Sequence, residues 1–225
     1  MLSIIIPVFN GGEWLAEAIE SALNQTKKAN IIVVDDGSTD NSLEIAKIYP
    51  VKVISQVNKG LASARNTGIM NSTDNWILPL DADDVLLPNC VERLHEVRID
   101  PKFLEVDVDV IAPSFREFGL GSREVILMEN PTLEDFKTGN RIGYCAAIKR
   151  SALLEIGGYS PKMVEGYEDL HLWVNLLTRG YRLVTIPEIL WQYRIKSESM
   201  YTKAVQYHKK LLAQINKDFN IGMEF

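Results

Sequence analysis

Three aspartates within four positions, Asp81, Asp83 and Asp84, follow directly on the apolar run Trp76-Ile77-Leu78-Pro79-Leu80. The run is short, bounded and compatible with extended backbone, so it reads as a buried strand. Charged groups rarely follow such a run in a tight cluster without a partner. In extended backbone Asp81 and Asp83 leave on the same side. Like charges that close repel and raise one another's pKa unless a cation or a donor sits between them. A hard divalent cation suits the pair, with water and substrate phosphates completing the shell that one or two carboxylates leave open. An acidic turn in which Asp84 caps the next helix accounts for the same residues without a metal. On this stretch alone the two readings stand level.

The elements that must position these side chains are legible upstream. Leu2 to Val8 is a β-branched apolar run ending in the polar stretch Pro7 to Asn10, and Gly11-Gly12 turns the chain. From Glu13, the residues Trp14, Leu15, Ala18, Ile19, Ala22 and Leu23 form one stripe of an amphipathic helix. Ile31 to Val34 is a second strand, ending in Asp35-Asp36-Gly37-Ser38. Ser38, Thr39 and Asp40 all suit the N-cap of a helix carrying Leu43, Ala46 and Tyr49. Val51 to Ile54 is a third strand, and Asn58-Lys59-Gly60 turns into a helix with Leu61, Ala64 and Ile69. Alternation of strands and helices at this spacing is the pattern of parallel β-α-β units with right-handed crossovers. Ligands of such sheets bind outside the carboxyl ends of the strands. The three polar clusters fall there together. Neither a Gly-x-Gly-x-x-Gly turn nor a Gly-x-x-x-x-Gly-Lys-Ser/Thr loop is present. A bound nucleotide would therefore depend on a metal at Asp83 rather than on a glycine-rich cradle.

Length and composition set bounds. A chain of 225 residues is long enough for one well-buried α/β domain or two small ones. A net charge of −6 argues against nucleic acid as the main partner. Cys90 and Cys145 lack metal-type spacing; they read as buried or free thiols of a reducing compartment, or as one disulfide. The start of the chain has no basic region, and its apolar run is too short for a signal peptide. No segment reaches membrane-spanning length. These features lead to the expectation of a cytoplasmic protein.

Four linked stretches carry a resemblance: Ile4-Ile5-Ile6-Pro7-Val8-Phe9-Asn10, Val33-Val34-Asp35-Asp36-Gly37-Ser38-Thr39-Asp40, Asn58 to Gly68, and Leu80-Asp81-Ala82-Asp83-Asp84. In this order and spacing they resemble the inverting nucleotide-sugar glycosyltransferases of family 2, with the GT-A fold. The resemblance implies an α/β domain over residues 1–199, with a mixed, mainly parallel sheet, a nucleotide-binding half (1–100) and an acceptor-side half (101–199). It implies that Pro7, Val8, Asn10 and Asp36 line the donor nucleotide and that Arg65 lies near the nucleotide and diphosphate. Asp81 would contact ribose or metal. Asp83 would ligate Mn²⁺ or Mg²⁺, with Asp84 behind it.

The second half is read more coarsely. Asp109 to Pro113, Glu124 to Met128 and Tyr144 to Lys149 suggest strands, and Ser151 to Ile156 a short helix. Glu168-Asp169 opens a helix that buries Leu172, Trp173, Leu176 and Leu177. Acidic residues in a first turn also serve the helix dipole alone; the family order favours function, with Asp169 as the base and Glu168 beside it. Where relatives commonly carry Tyr-Arg-x-His after the last strand, this chain has Tyr193-Arg194-Ile195-Lys196. A protonated lysine has no lone pair for a metal, but it can set a positive charge against a diphosphate; a solvated surface lysine fits equally. His95 reads as solvated, His171 as unable to share a metal with Asp169, and Trp173 and Trp191 as packing residues.

The tail from Tyr201 sets Ala204, Val205, His208, Leu211, Leu212, Ile215 and Phe219 on one face and Lys203, Lys209, Lys210 and Lys217 elsewhere. This amphipathic basic helix over 200–225 suits, in order, docking on its own domain, a homodimer contact, or the anionic cytoplasmic face of a membrane carrying a lipid-linked acceptor. A glycan or a small molecule is an equally admissible acceptor. Two other classes stay open: a nucleotidyltransferase, which usually needs a basic glycine-rich loop after its first strand, and a catalytically silent sugar-nucleotide-binding protein.

Overall fold

The computed structural model describes residues 1–105, 107–197 and 205–223. Its first half is built from β1 (Leu2–Val8), α1 (Leu15–Leu23), β2 (Asn30–Asp35), α2 (Ser42–Ile48), β3 (Lys52–Ser55), α3 (Leu61–Asn71) and β4 (Trp76–Pro79). Side chains alternate across a strand with period two, and β1 uses both faces. Leu2, Ile4, Ile6 and Val8 enter one core with Leu15, Ala18 and Ile19 of α1. Ile5 enters the other with Ala64 and Ile69 of α3. Burial on both faces explains the unbroken apolar runs, since a strand covered by helices above and below has no polar side. Each fully buried isoleucine contributes about 1.5–3 kcal/mol of transfer free energy.

The chain continues through β5 (Val85–Leu86), α4 (Cys90–Ile99), α5 (Pro101–Leu104), β6 (Val110–Gly119), β7 (Glu124–Val125), α6 (Leu133–Phe136), β8 (Ala147–Lys149) and α7 (Arg150–Ile156). It then forms α8 (Glu168–Thr178), β9 (Leu183–Ile195), a 3-10 turn (Val205–Tyr207) and α9 (His208–Phe219). The strands join in one sheet of order β3-β2-β1-β4-β8-β6-β9-β5, with β7 added beside β6. β1 runs parallel to β2 and β4, β2 to β3, and β6 to β9. The antiparallel pairings of β4 with β8, β5 with β9, β6 with β7 and β6 with β8 are short. The sheet is thus mixed and mainly parallel, flanked by helices, as expected.

One irregularity matters for function. Pro113 pairs with Ile186, but Ser114 pairs with Ile189 and Phe115 with Trp191. A proline has no N–H for a ladder and favours such breaks, and both Pro113 and Pro187 lie at this one. Past the break, β9 pairs with β5, Val85 with Gln192 and Leu86 with Trp191. The end of β9 is thereby brought beside the acidic turn after β4.

Several local expectations are corrected. The backbone at Ala82 and Asp83 is a turn, closed by an Asp84 N–H to Asp81 carbonyl bond of 3.1 Å, so the extended geometry expected for Asp81 and Asp83 does not occur. The N-cap of α2 is Asn41, without a side-chain bond, and Asp40 instead accepts from the Ser42 N–H at 3.0 Å. The strand expected over Glu124 to Met128 stops at Val125, and the one expected from Tyr144 begins at Ala147. Cys90 and Cys145 are buried and free, so no disulfide joins them.

In the tail, Leu211, Leu212 and Ile215 are buried in the same core as Leu170 and Trp173 of α8. The apolar face of α9 is therefore spent on its own domain. A second subunit or a membrane would meet the face bearing Lys209, Lys210 and Lys217. Tyr201, Lys203 and Ala204 lie outside the described residues, as does the side chain of Val205. Among the described residues no helix is long and apolar enough to cross a membrane.

Candidate active site

A cavity of about 680 Å³ opens at the carboxyl ends of β1, β2 and β4. Pro7, Val8, Asn10 and Asp36 line it from the ends of β1 and β2, Asp81 and Asp83 form a floor at the turn after β4, and Glu168 and Asp169 from the start of α8 and Lys196 after β9 complete it. Parallel strands converge there because each β-α-β unit turns at the same end of the sheet.

On the first side, the Asp36 N–H donates to the Val8 carbonyl at 2.8 Å, joining the ends of β2 and β1. The Asp36 carboxylate, 2% exposed, accepts from Lys59 N–H (3.0 Å) and Gly60 N–H (2.8 Å), the entry to α3, and from the Gln56 amide (2.7 Å). A carboxylate suits the unpaired N–H groups of a helix start. Gly60 sits at φ +86°, a conformation glycine adopts without strain. Asn10, at φ +51°, accepts from the Thr39 N–H at 2.8 Å and donates its own N–H to Ser38 at 3.0 Å.

The floor is an alternating network of charge. Arg65 is not at the cavity surface: it is 1% exposed, and its guanidinium donates to Asp81 and to Glu168, each at 2.6 Å. Tyr144 and Tyr159 flank it, both 5.1 Å from the guanidinium carbon. Burial works against the arginine's charge, but the two carboxylates more than offset this and raise its pKa well above the ordinary value. Asp81 is pushed up to about 6 by burial, with Arg65 opposing and Asp83 adding to the rise. The Asp81 N–H donates to the Tyr144 hydroxyl (2.9 Å), which donates in turn to Asp84 (2.5 Å). Asp84, 1% exposed, also accepts from the Arg194 N–H at 2.7 Å. Its pKa is held well above the usual range by burial, then by repulsion from Asp83 and Asp81. Asp84 therefore ties the acidic turn to β9 and caps no helix.

Asp83 is half-buried and pairs with Lys196. Its carbonyl accepts from Arg194 Nε at 2.7 Å, and the Arg194 guanidinium also pairs with Glu17 while lying 4.0 Å from the Trp14 ring and 4.1 Å from that of Phe118. Lys196 is thus not a freely solvated lysine. Glu168 and Asp169 begin α8, after Gly166 and Tyr167 at φ +128° and +61°. Asp169 accepts from the Leu170 N–H and from the Asn140 amide, both at 2.7 Å. Burial first and repulsion from Glu168 second push its pKa up to about 7.

Sequence reading thus pointed to residues that the fold gathers round one cavity, with Arg65 and Asp84 behind its wall. It missed Tyr144, Asn140 and Arg194, which position the carboxylates. Only Arg194 had a legible signal, its place two residues before Lys196. Trp191 is 1% exposed and its ring centroid lies 4.7 Å from that of Phe115, so it packs under the site. Trp173 is fully buried, and His171 bonds Asp218 at 3.2 Å.

The model of the glycosyl transferase family 2 matches residues 3–157. The chain belongs to glycosyl transferase family 2. The EpsE protein of Bacillus subtilis is 30% identical over 217 residues, 92% of this chain and 77% of its own length. YibD of Escherichia coli, an uncharacterised glycosyltransferase, is 41% identical over 128 residues, 52% of this chain. GlyG of Streptococcus pneumoniae, a glycosyltransferase, is 36% identical over 125 residues, 52% of this chain. These matches span only 36% and 40% of the latter two relatives. In fold, the chain superimposes with TM-score 0.78 on S. aureus TarS in complex with UDP-GlcNAc, at 18% identity over 98% of this chain and 67% of that one. The mannosyltransferase PcManGT of Pyrobaculum calidifontis, in complex with GDP-Man and Mn²⁺, gives 0.72 at 19% identity, over 96% and 63%. The family 2 chain thus has the GT-A fold.

Proposed function

We propose that this chain transfers a sugar, with inversion, from a nucleoside-diphosphate donor, a UDP-sugar in the first instance, to an acceptor hydroxyl of a glycan, a lipid-linked intermediate or a small molecule. The observation that carries this reading is one cavity that gathers a polar stretch at Asp36, a partly compensated acidic floor at Asp81 and Asp83, and a carboxyl of pKa about 7 at Asp169. A group with that pKa is half in its basic form at neutral pH and can both accept and release a proton. Asp169 is the proposed general base, taking the proton of the acceptor hydroxyl as its oxygen attacks the anomeric carbon. Attack from the face opposite the departing diphosphate inverts that centre. The Asn140 amide and the Leu170 N–H hold the carboxyl in place, and Glu168, held by Arg65, keeps its pKa high.

Among the described residues no cluster of three or more His, Cys, Asp or Glu side chains forms a metal cage. Asp81 and Asp83 each commit one oxygen to a cation of the chain, Arg65 and Lys196 respectively, and keep a second oxygen outside that pair. This sparse oxygen set fits Mn²⁺ or Mg²⁺ that draws its remaining ligands from water and phosphate, with Asp83 as the main protein ligand. When bound, such an ion would neutralise the diphosphate as a Lewis acid. Lys196 would stand beside it as a fixed positive charge. The role proposed lies in glycan or polysaccharide assembly in the cytoplasm; the exposed lysines of α9 support a location at the inner face of a membrane when the acceptor is lipid-linked.

Product analysis by mass, with a panel of nucleotide sugars and Mn²⁺ or Mg²⁺, tests the reading. Release of nucleoside diphosphate is expected, by transfer or slow hydrolysis. Pyrophosphate would identify a nucleotidyltransferase, and binding without products a silent binding protein.

A further inference from the structure

The α8 start that carries Glu168 and Asp169 is backbone-strained and is held from outside by the C-terminal helix. Tyr167 lies at φ +61°, and a bulky residue occupies the left-handed region only where surrounding contacts hold it there. Four bonds reach this segment from α9. The Tyr167 hydroxyl meets His208 Nδ1 at 2.9 Å, with the two rings edge-on at 5.8 Å between centroids. Lys210 pairs with Glu165 at 2.6 Å. Asp218 pairs with Lys162 at 2.8 Å and bonds His171 Nε2 at 3.2 Å. Partners at 162, 165, 167 and 171 bracket Glu168 and Asp169 on both sides. Beneath them Leu211, Leu212 and Ile215 are buried with Leu170 and Trp173, which packs α9 into the same core as α8.

We infer that α9 is a positioning element of the active site, with His208 and Tyr167 as positioning residues that hold Asp169 at the cavity wall. This deepens the proposed role of Asp169 and rests on that reading for its catalytic meaning, but the geometry it claims is testable without turnover. His208→Ala and Tyr167→Phe each remove the same hydrogen bond, and the second keeps the ring. In the full chain, both variants are expected to speed amide exchange over residues 166–171 about tenfold, the effect of losing roughly one hydrogen bond. They should also lower the titration midpoint of Asp169, read by carbon NMR of its carboxyl, as the wall loosens and water enters. Exchange in β1 and α3 should be unchanged. His208→Gln, which keeps a hydrogen-bonding group, should recover most of both effects. If His208→Ala unfolds the chain, Tyr167→Phe decides alone. Exchange within about twofold of the parent, or faster exchange with an unmoved Asp169 midpoint, would overturn the inference, since α9 would then be packing alone. Failure to find any nucleotide sugar turned over would count against Asp169 as a base and leave these readouts as they are.

Discussion

Asp169 joins two consequences of one physical cause. Burial and Glu168 raise its pKa from 3.8 to about 7 in the folded chain. As the proposed base it must be ionised, so turnover is expected to rise with pH through about 7 and then level. Asp169→Asn is nearly isosteric and should lower turnover by about 10²–10⁴-fold while donor affinity survives. The same shift has a stability sign. Between the unfolded and folded pKa values the folded state binds more protons, so this group's contribution to stability falls as pH rises across that window. The asparagine variant should lose that slope, which denaturant melts at about pH 5 and about pH 8 would measure. Lys196 and Asp83 form the second residue-scale unit. Asp83→Ala should abolish metal-dependent donor binding with the fold intact. Lys196→Ala should weaken donor binding and make residual activity more metal-dependent, and Lys196→His, which brings a lone pair, should tighten Mn²⁺ in the presence of nucleoside diphosphate. Calorimetric titrations of all three, unchanged from the parent, would remove both residues from the mechanism.

At the scale of elements, the site depends on close packing of α3 against β1. A Cβ at Gly68 would clash with the Ile5 side chain, which is 1% exposed and β-branched and cannot swing aside. That approach sets the depth of α3, which presents Gly60 to Asp36 at one end and places Arg65 between Asp81 and Glu168. Gly68→Ala is expected to cost about 1–3 kcal/mol, the usual penalty for overfilling a packed core. The midpoint of denaturation should fall with an unchanged denaturant slope. A larger loss of donor affinity than of stability would show that α3 had shifted at its N-terminal end. The break in pairing between β6 and β9 plays the matching part on the other side, carrying Arg194 and Lys196 to the acidic turn.

The whole molecule is one continuous sheet between two apolar layers, with α9 sealing the layer behind α8. A donor bound as proposed, from Asp36 across the floor to Asp169, would make contacts only this assembled state provides. Ligands specific to the folded state raise its stability by mass action, by about 2.7 kcal/mol at a hundredfold excess over the dissociation constant. A thermal-shift panel of nucleotide sugars should therefore show stabilisation by the true donor. The gain should be greater with Mn²⁺ or Mg²⁺ than without, because the floor carries more carboxylates than cations. Equal shifts with and without the metal would assign the neutralisation to Lys196 alone.

What the amino-acid sequence determined by itself is what local periodicity and turn chemistry encode. The runs at Leu2, Ile31 and Trp76 read as strands, the intervening stripes as helices, and the polar residues at the strand ends as a group gathered at one end of a parallel sheet. The same reasoning marked the acidic turn at Asp81 and Asp83, while the roles of Asp36 and Asp169 came from the resemblance to the family. The tertiary structure decided the partners. Asp83 with Lys196, Asp84 with Tyr144 and Arg194, and Arg65 with Glu168 are separated by 113, 60, 110 and 103 residues. Whether such pairs meet depends on the strand order in which β8, β6 and β9 follow β4, and no local pattern specifies that order. The acidic turn itself shows the limit: the extended backbone expected between Asp81 and Asp83 is a turn, and each carboxylate finds its own cation, Asp81 the buried Arg65 and Asp83 the Lys196 that follows β9.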